Sequence, residues 1–330
     1  MRALVTGATG FTGGHLARPL AAGGTPVRAL VPPASLARPE TMALRELGIE
    51  IAAGDLTDGA AVSAACDGCD VVYHIAATYR EAGQPDRAYA AINVDGTRHV
   101  LEGALAGGVR RVVHCSTGGV HGHIAHPPAD EDAPFGPGDV YQETKLAGER
   151  LAREFGERRG LDVTIVRPIG IYGPGDTRFL KMFRGIARGR FPILGGGRVF
   201  YHLTFISDLV NGFLLAGTRR EAAGRTYLIS GPRYTTMNEL AGRIATAVGG
   251  RPPWIRLPAW PFWLAGAACE AVCVPLRLDP PIYRRRVDFY TKSRAFDSSR
   301  ARRELGYEPM VDLDEGLKIT ADWYRAREWL

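Results

Sequence analysis

The 330-residue sequence lacks most of the features that would place a protein in a class at a glance. Cysteine is scarce and odd in number, at positions 66, 69, 115, 269 and 273, so a disulfide framework does not hold this chain together. Cys66-Asp67-Gly68-Cys69 has the spacing of half a zinc site, yet no second Cys/His pair at ligand spacing accompanies it, and no metal is expected. Despite a net charge of +6 and a pI of about 9.2, no block of like charge exceeds Arg284-Arg285-Arg286. That excludes a basic tail and argues against a nucleic-acid partner. Long apolar runs are missing too: the longest, residues 257–269, falls short of the roughly 18 residues a spanning helix needs and contains Pro258 and Pro261. It reads as a core helix rather than a transmembrane one, with an apolar lid or a peripheral membrane contact as the sharper alternatives. No fixed-period repeat or low-complexity tract is present, which excludes solenoids and disorder. No signal-like segment precedes residue 2, so a reduced, cytoplasmic protein is expected.

What is present is a chain with 45% hydrophobic residues, long enough for one large domain and a smaller lobe. Short β-branched runs at residues 2–6, 27–31, 49–53, 71–75, 111–115 and 162–167 alternate with helical patterns at 12–22, 89–107 and 140–159. Such alternation predicts βαβ units and a parallel sheet whose strands are buried on both faces. After Pro168 the pattern breaks into glycine-rich loops, a short strand at 226–230 and helices at 238–248 and 313–327. The expected fold is α/β: a Rossmann-type, doubly wound parallel sheet with a smaller, discontinuous C-terminal substrate lobe. Residues 1–170 and 203–230 would form the dinucleotide-binding domain, and 171–202 and 231–330 the substrate lobe.

The first strand runs straight into Thr6-Gly7-Ala8-Thr9-Gly10-Phe11-Thr12-Gly13 and then a helix. In that context Gly7 permits a tight turn, Gly10 lets backbone N–H groups approach a pyrophosphate, and Gly13 allows close helix–strand packing. The position that closes the second strand, where an acid would bind an adenosine ribose and repel a 2′-phosphate, is Val31-Pro32-Pro33. With no acid there, and with Arg28, Ser35 and Arg38 nearby to meet a phosphate, the cofactor is NAD or NADP with a lean to NADP. Asp55, followed by Leu56 after the third strand, is placed to accept from an adenine amino group or to cap a helix.

Tyr141 and Lys145 lie four apart at the start of a helical pattern and therefore share a face. A free tyrosine is a poor base near neutrality. An adjacent ammonium and a bound pyridinium ring both favour its phenolate, which suits proton transfer. Ser116-Thr117 follows the strand at 111–115, where a parallel sheet presents ligand-binding groups, and a hydroxyl there can hold a substrate oxygen beside Tyr141. His121 and His123 read as loop polarity. Arg178 and Lys181 read as candidate phosphate contacts or surface charge.

Taken together these residues resemble the extended short-chain dehydrogenases/reductases, the NAD-dependent epimerase/dehydratase family. The likeness extends over His74-Ile75-Ala76-Ala77, Asn93-Val94-Asp95-Gly96-Thr97, Arg167-Pro168, Ile171-Tyr172-Gly173-Pro174 and the tail Arg303-Glu304-Leu305-Gly306-Tyr307. It implies Thr117 as the catalytic hydroxyl, Tyr141 as acid/base and Lys145 as its partner on the nicotinamide ribose, with Ser116 the lesser hydroxyl. Gly7, Thr9, Gly10, Phe11, Thr12, Gly13, Arg28, Asp55, Leu56, Ala76, Asn93, Pro168 and Ile171 would join Tyr141 and Lys145 around the cofactor. A small-molecule substrate and a homodimer are expected. Thr117-Gly118-Gly119 lacks the Asp-Glu pair of the family's dehydratases, which disfavours that reaction. The resemblance places a sugar-nucleotide epimerase-type reaction first, with Arg285 and Asp288 as an Arg-x-x-Asp nucleotide contact. Two departures stand against it: Tyr201 replaces an Arg that grips the diphosphate, and an Asn-rich turn after Gly175 is missing. Second comes a 3β-hydroxysteroid-dehydrogenase-like enzyme, with Trp254, Trp260, Phe262 and Trp263 lining an apolar pocket; a non-catalytic dinucleotide sensor is third.

Overall fold

The computed structural model describes every residue except 80–83, 274, 277, 279 and 281–283, and the side chains of all the described residues except Arg285 and Arg286. The valine- and isoleucine-rich runs form β1 (Ala3–Thr6), β2 (Val27–Val31), β3 (Glu50–Ala53), β4 (Val71–His74), β5 (Arg111–Cys115) and β6 (Val163–Pro168), and Thr226–Ile229 closes the far edge. All seven strands are parallel, in the order Thr226–Ile229, β6, β5, β4, β1, β2, β3. Because β1 lies between β2 and β4, the winding reverses there, and a crevice opens beyond the carboxyl ends of those strands.

Both faces of the sheet are covered, which is why its strands read as continuous apolar runs. Leu16 and Ala17 of the helix Phe11–Ala22 pack on one face with Leu209 and Phe213 of Ile206–Thr218. On the other lie Val62, Val100, Leu101, Leu151 and Phe155, from Gly59–Cys66, Gly96–Ala106 and Val140–Arg159. Each such side chain contributes about 1.5–3 kcal/mol on burial. β3 departs from the expected pattern: it ends the sheet, Glu50 and Ala53 are exposed, and Glu50 accepts from Arg28 at 2.8 Å. The expected helix at 89–107 is interrupted by a π-turn over Ala91–Asp95, which places Asn93 in the interior.

Beyond Pro168, apart from Thr226–Ile229, the strands occur in pairs: Ile171–Tyr172 with Thr204–Phe205, Phe200–His202 with Tyr234–Thr236, and Ile193–Leu194 with Arg256–Leu257. The helix Met237–Val248 starts at a reciprocal cap between Thr236 and Glu239 and ends at left-handed Gly249. The apolar stretch at 257–269 is not a core helix. It lies largely within the helix Trp260–Cys273, of which only Gly266 is buried. Among the described residues no helix is long and apolar enough to cross a membrane. The buried Cys66 thiol is pushed up to about 12, chiefly by burial, and stays protonated.

Candidate active site

A cleft of about 1240 Å³ runs along the carboxyl ends of β1, β2, β4, β5 and β6. Its floor is the glycine turn. Gly7 has φ +72°, a left-handed conformation that favours glycine, and its carbonyl accepts the Gly10 N–H at 3.0 Å. A Cβ at Gly13 would stand 2.1 Å from the Gly7 oxygen, so the first helix can pack this tightly only without one. The turn thus leaves the N–H groups of a helix start open to the cleft, a cradle that fits a pyrophosphate. One end of the cleft is lined by Leu30, Pro32, Gly54, Asp55 and Leu56, a fit for an adenosine; the other opens onto Tyr141 and Lys145.

The helix Val140–Arg159 starts where Asp139 accepts the Gln142 N–H at 2.9 Å, which sets Tyr141 in its first turn and Lys145 one turn on. Tyr141 meets Tyr79 edge to face at 4.9 Å. Lys145 is buried, and burial lowers its pKa against the opposing pull of the Cys115 thiol and the Glu149 carboxylate. Its ammonium is therefore poised to gain from any partner that enters the cleft. The two adjacent hydroxyls at the end of β5 are separated by their partners. Ser116 donates to Glu149 at 2.6 Å and is buried, whereas Thr117 lines the cleft and accepts from the Gly119 N–H at 3.1 Å, leaving its own proton to be donated.

Behind this wall a directional hydrogen-bond chain locks β1 to β4. The Ala76 N–H donates to Thr6, Thr6 to His74 Nδ1 (2.9 Å), His74 Nε2 to Thr97 (3.0 Å), and Thr97 to the Asn93 carbonyl; the partners assign the His74 tautomer. Burial first and Lys145 second hold His74 down at about 3, so it stays neutral.

Gly7, Thr9, Gly10, Phe11, Thr12, Gly13, Asp55, Leu56, Ala76, Thr117, Tyr141, Lys145, Pro168 and Ile171 all line this one cleft, as do Arg178 and Lys181. Two expected cofactor contacts do not. Arg28 is the second residue of β2, towards the opposite end of the sheet, and is held by Glu50 and by the carbonyls of Ala65 and Asp67. Asn93 is buried behind the wall, where its amide joins Thr78 to Thr144. Trp254, Trp260, Phe262 and Trp263 are exposed and take no part in the lining, because the helix that carries three of them lies on the surface. The apolar wall comes instead from Phe191, Tyr201, Leu203, Phe289 and Tyr290, of which sequence reasoning singles out only Tyr201. Apart from Tyr201's place seven residues before Asp208, no local pattern marks them, since they come from three separate segments. Arg178 is ion-paired with Asp176 at 2.5 Å, whereas Lys181, Arg190 and Arg294 have no carboxylate partner among the described residues. Arg294 lies beside the buried Tyr201 hydroxyl without hydrogen-bonding geometry. Of the expected Arg-x-x-Asp contact, Asp288 pairs with Lys292 and the Arg285 side chain lies outside the described residues.

A family model described as the NAD dependent epimerase/dehydratase family matches residues 3–230. The chain belongs to this family. Sterol demethylase protein B of Methylococcus capsulatus is 33% identical over 99% of both chains. The 3β-hydroxysteroid dehydrogenase/Δ5→4-isomerase of Mycobacterium tuberculosis is 31% identical over 98% of this chain and 90% of its own. Among solved structures, DesIV, a dTDP-glucose 4,6-dehydratase from Streptomyces venezuelae with NAD bound, superposes with a TM-score of 0.78 at 27% identity, covering 100% of this chain and 98% of its own. The family is one of nicotinamide-dependent dehydrogenases, epimerases and dehydratases, so the chain is an NAD(P)-dependent enzyme of the extended short-chain type and not a non-catalytic sensor.

Proposed function

We propose that the enzyme oxidises a secondary alcohol, or reduces the matching ketone, on a bulky and largely apolar ring molecule of the sterol class. The observation that carries this is the wall of Phe191, Tyr201, Leu203, Phe289 and Tyr290 at the substrate end of the cleft. The sterol and steroid enzymes among its relatives support it. When bound, the nicotinamide supplies the hydride acceptor or donor. Thr117 donates to the substrate oxygen, Tyr141 takes or returns the hydroxyl proton, and Lys145 favours the phenolate and would hold the nicotinamide ribose. Gly7, Thr9, Gly10, Phe11, Thr12 and Gly13 would carry the pyrophosphate, and Asp55, whose Oδ1 is taken by Thr57, keeps its other oxygen for the adenine. The two-lobe division at 170, 203 and 231, a homodimer and a cytoplasmic setting complete the reading.

A sugar-nucleotide epimerase-type reaction is the second reading, favoured by Lys181, Arg190 and Arg294, cations that could meet a diphosphate. Incubating the protein with NAD and either a 3β-hydroxysterol or a UDP-hexose separates the two. The first reading expects growth in nicotinamide absorbance with the sterol; interconversion of UDP-hexoses without net absorbance change would replace it with the second.

The cofactor preference follows from the adenosine end of the cleft, where among the described residues no cation lines the wall and Asp55 is the only charge. Of the three side chains that supported a lean to NADP, Arg28 is turned away, Ser35 is buried and Arg38 does not line the cleft. NAD is expected to bind about tenfold more tightly than NADP in a fluorescence titration, a difference of about 1.4 kcal/mol. Tighter NADP binding would reverse the assignment.

A further inference from the structure

Nine of the seventeen exposed large hydrophobic side chains among the described residues fall between Trp254 and Leu278. Trp254 is 75% exposed, Trp260 66%, Trp263 44% and Val272 61%, on and around a helix that is apolar on all sides. A helix of this kind belongs in a core or against an apolar phase, and this one rests mainly on the neighbouring helix Arg284–Thr291. The same stretch concentrates positive charge. Residues 251–286 contain six arginines against Glu270 and Asp279, a surplus of four in a chain whose net charge is +6. Glu270 is itself paired with Arg284 at 2.6 Å. A second copy would bring the same surplus of positive charge against itself, whereas anionic lipid headgroups would neutralise it. Tryptophan beside arginine is the composition of a helix lying in a membrane interface.

We propose that this face docks the enzyme on the surface of an anionic bilayer, without crossing it. The face adjoins the substrate end of the cleft by two routes. Arg284–Thr291 carries Phe289 and Tyr290 into the cleft wall, and Arg256–Leu257 pairs with Ile193–Leu194, just after the cleft residues Phe191 and Pro192. An apolar substrate dissolved in the bilayer would then lie next to the site that takes it. The docking itself does not rest on the substrate reading.

The test is flotation of the full chain with vesicles of phosphatidylcholine, alone or mixed with phosphatidylglycerol. The protein is expected to float with the mixed vesicles, less with the neutral ones, and less again at high salt. The double variant Trp260→Glu/Trp263→Glu, at exposed positions, should retain its melting temperature and NAD binding while its bound fraction falls at least about tenfold. A protein that stays with neither vesicle overturns the proposal. So does equal flotation of the variant, equal binding to neutral lipid, or a dimer that the variant dissociates, which would make the face a self-association surface. Should the variant not fold, the salt and lipid dependence of the parent protein decides. Flotation needs no turnover, so a failure here leaves the sterol reading standing, and the reverse holds as well.

Discussion

Tyr141→Phe is expected to lower kcat at least about 100-fold while leaving NAD affinity within about twofold, because general acid–base transfer contributes about 10²–10⁴-fold. The substitution removes one oxygen and retains the ring that packs on Tyr79 at 4.9 Å, so the cleft keeps its shape. What is lost is the hydroxyl proposed to exchange a proton with the substrate oxygen. Lys145→Ala should lose turnover and also weaken NAD binding, since its ammonium would hold the ribose. Steady-state rates with whichever of the sterol and the UDP-hexose the enzyme turns over, alongside NAD titration, measure both. Near-full activity in Tyr141→Phe would remove the phenol from the mechanism, and unchanged NAD affinity in Lys145→Ala would remove the ribose contact.

Arg167→Met is expected to destabilise the fold by about 3–5 kcal/mol, read from the urea midpoint, since it leaves a buried carboxylate without its main partner. Arg167 and Glu149 are each 1% exposed. The guanidinium meets Glu149 with two bonds, at 2.5 and 3.0 Å, and spends its remaining edge on the Glu131 carbonyl and on His121 Nε2. Burial alone would raise the Glu149 pKa. The Arg167 hydrogen bonds and charge, with Ser116 and Arg153, bring it below its ordinary 4.5. A depressed folded-state pKa means stability that is fully present above the unfolded value and lost as pH falls through the folded one. In Arg167→Met burial dominates instead, the carboxyl pKa rises, and protonation in acid then relieves the variant. The deficit should therefore be largest near neutrality and shrink as pH drops. Arg167→Met/Glu149→Leu should recover most of the loss. A deficit below about 1 kcal/mol, or one independent of pH, would show that the pair is not what holds β6 to the helix Val140–Arg159.

The same pair shows where reading the chain stops. Arg167-Pro168 was legible as part of a family pattern, but nothing local said that Arg167 would turn inward to Glu149, eighteen residues earlier, and support Ser116 from behind. His121, read as loop polarity, proves to be an acceptor for that guanidinium. Asn93, read as a cofactor contact, spends its amide on Thr78 and Thr144.

By itself the sequence determined the strands, the glycine turn and the Tyr141/Lys145 spacing. Each depends on the nearest few residues: two-sided burial makes a strand a continuous apolar run, a turn of this tightness excludes a side chain at Gly13, and a helix sets i and i+4 on one face. Only the tertiary structure decided that Arg28 points away from the crevice, that the cleft wall is built from residues 191, 201, 203, 289 and 290, and that Trp254, Trp260 and Trp263 face outward. Those outcomes depend on which distant segments meet, and an aromatic side chain carries the same apolar surface whether it ends against a core, a ligand or a lipid.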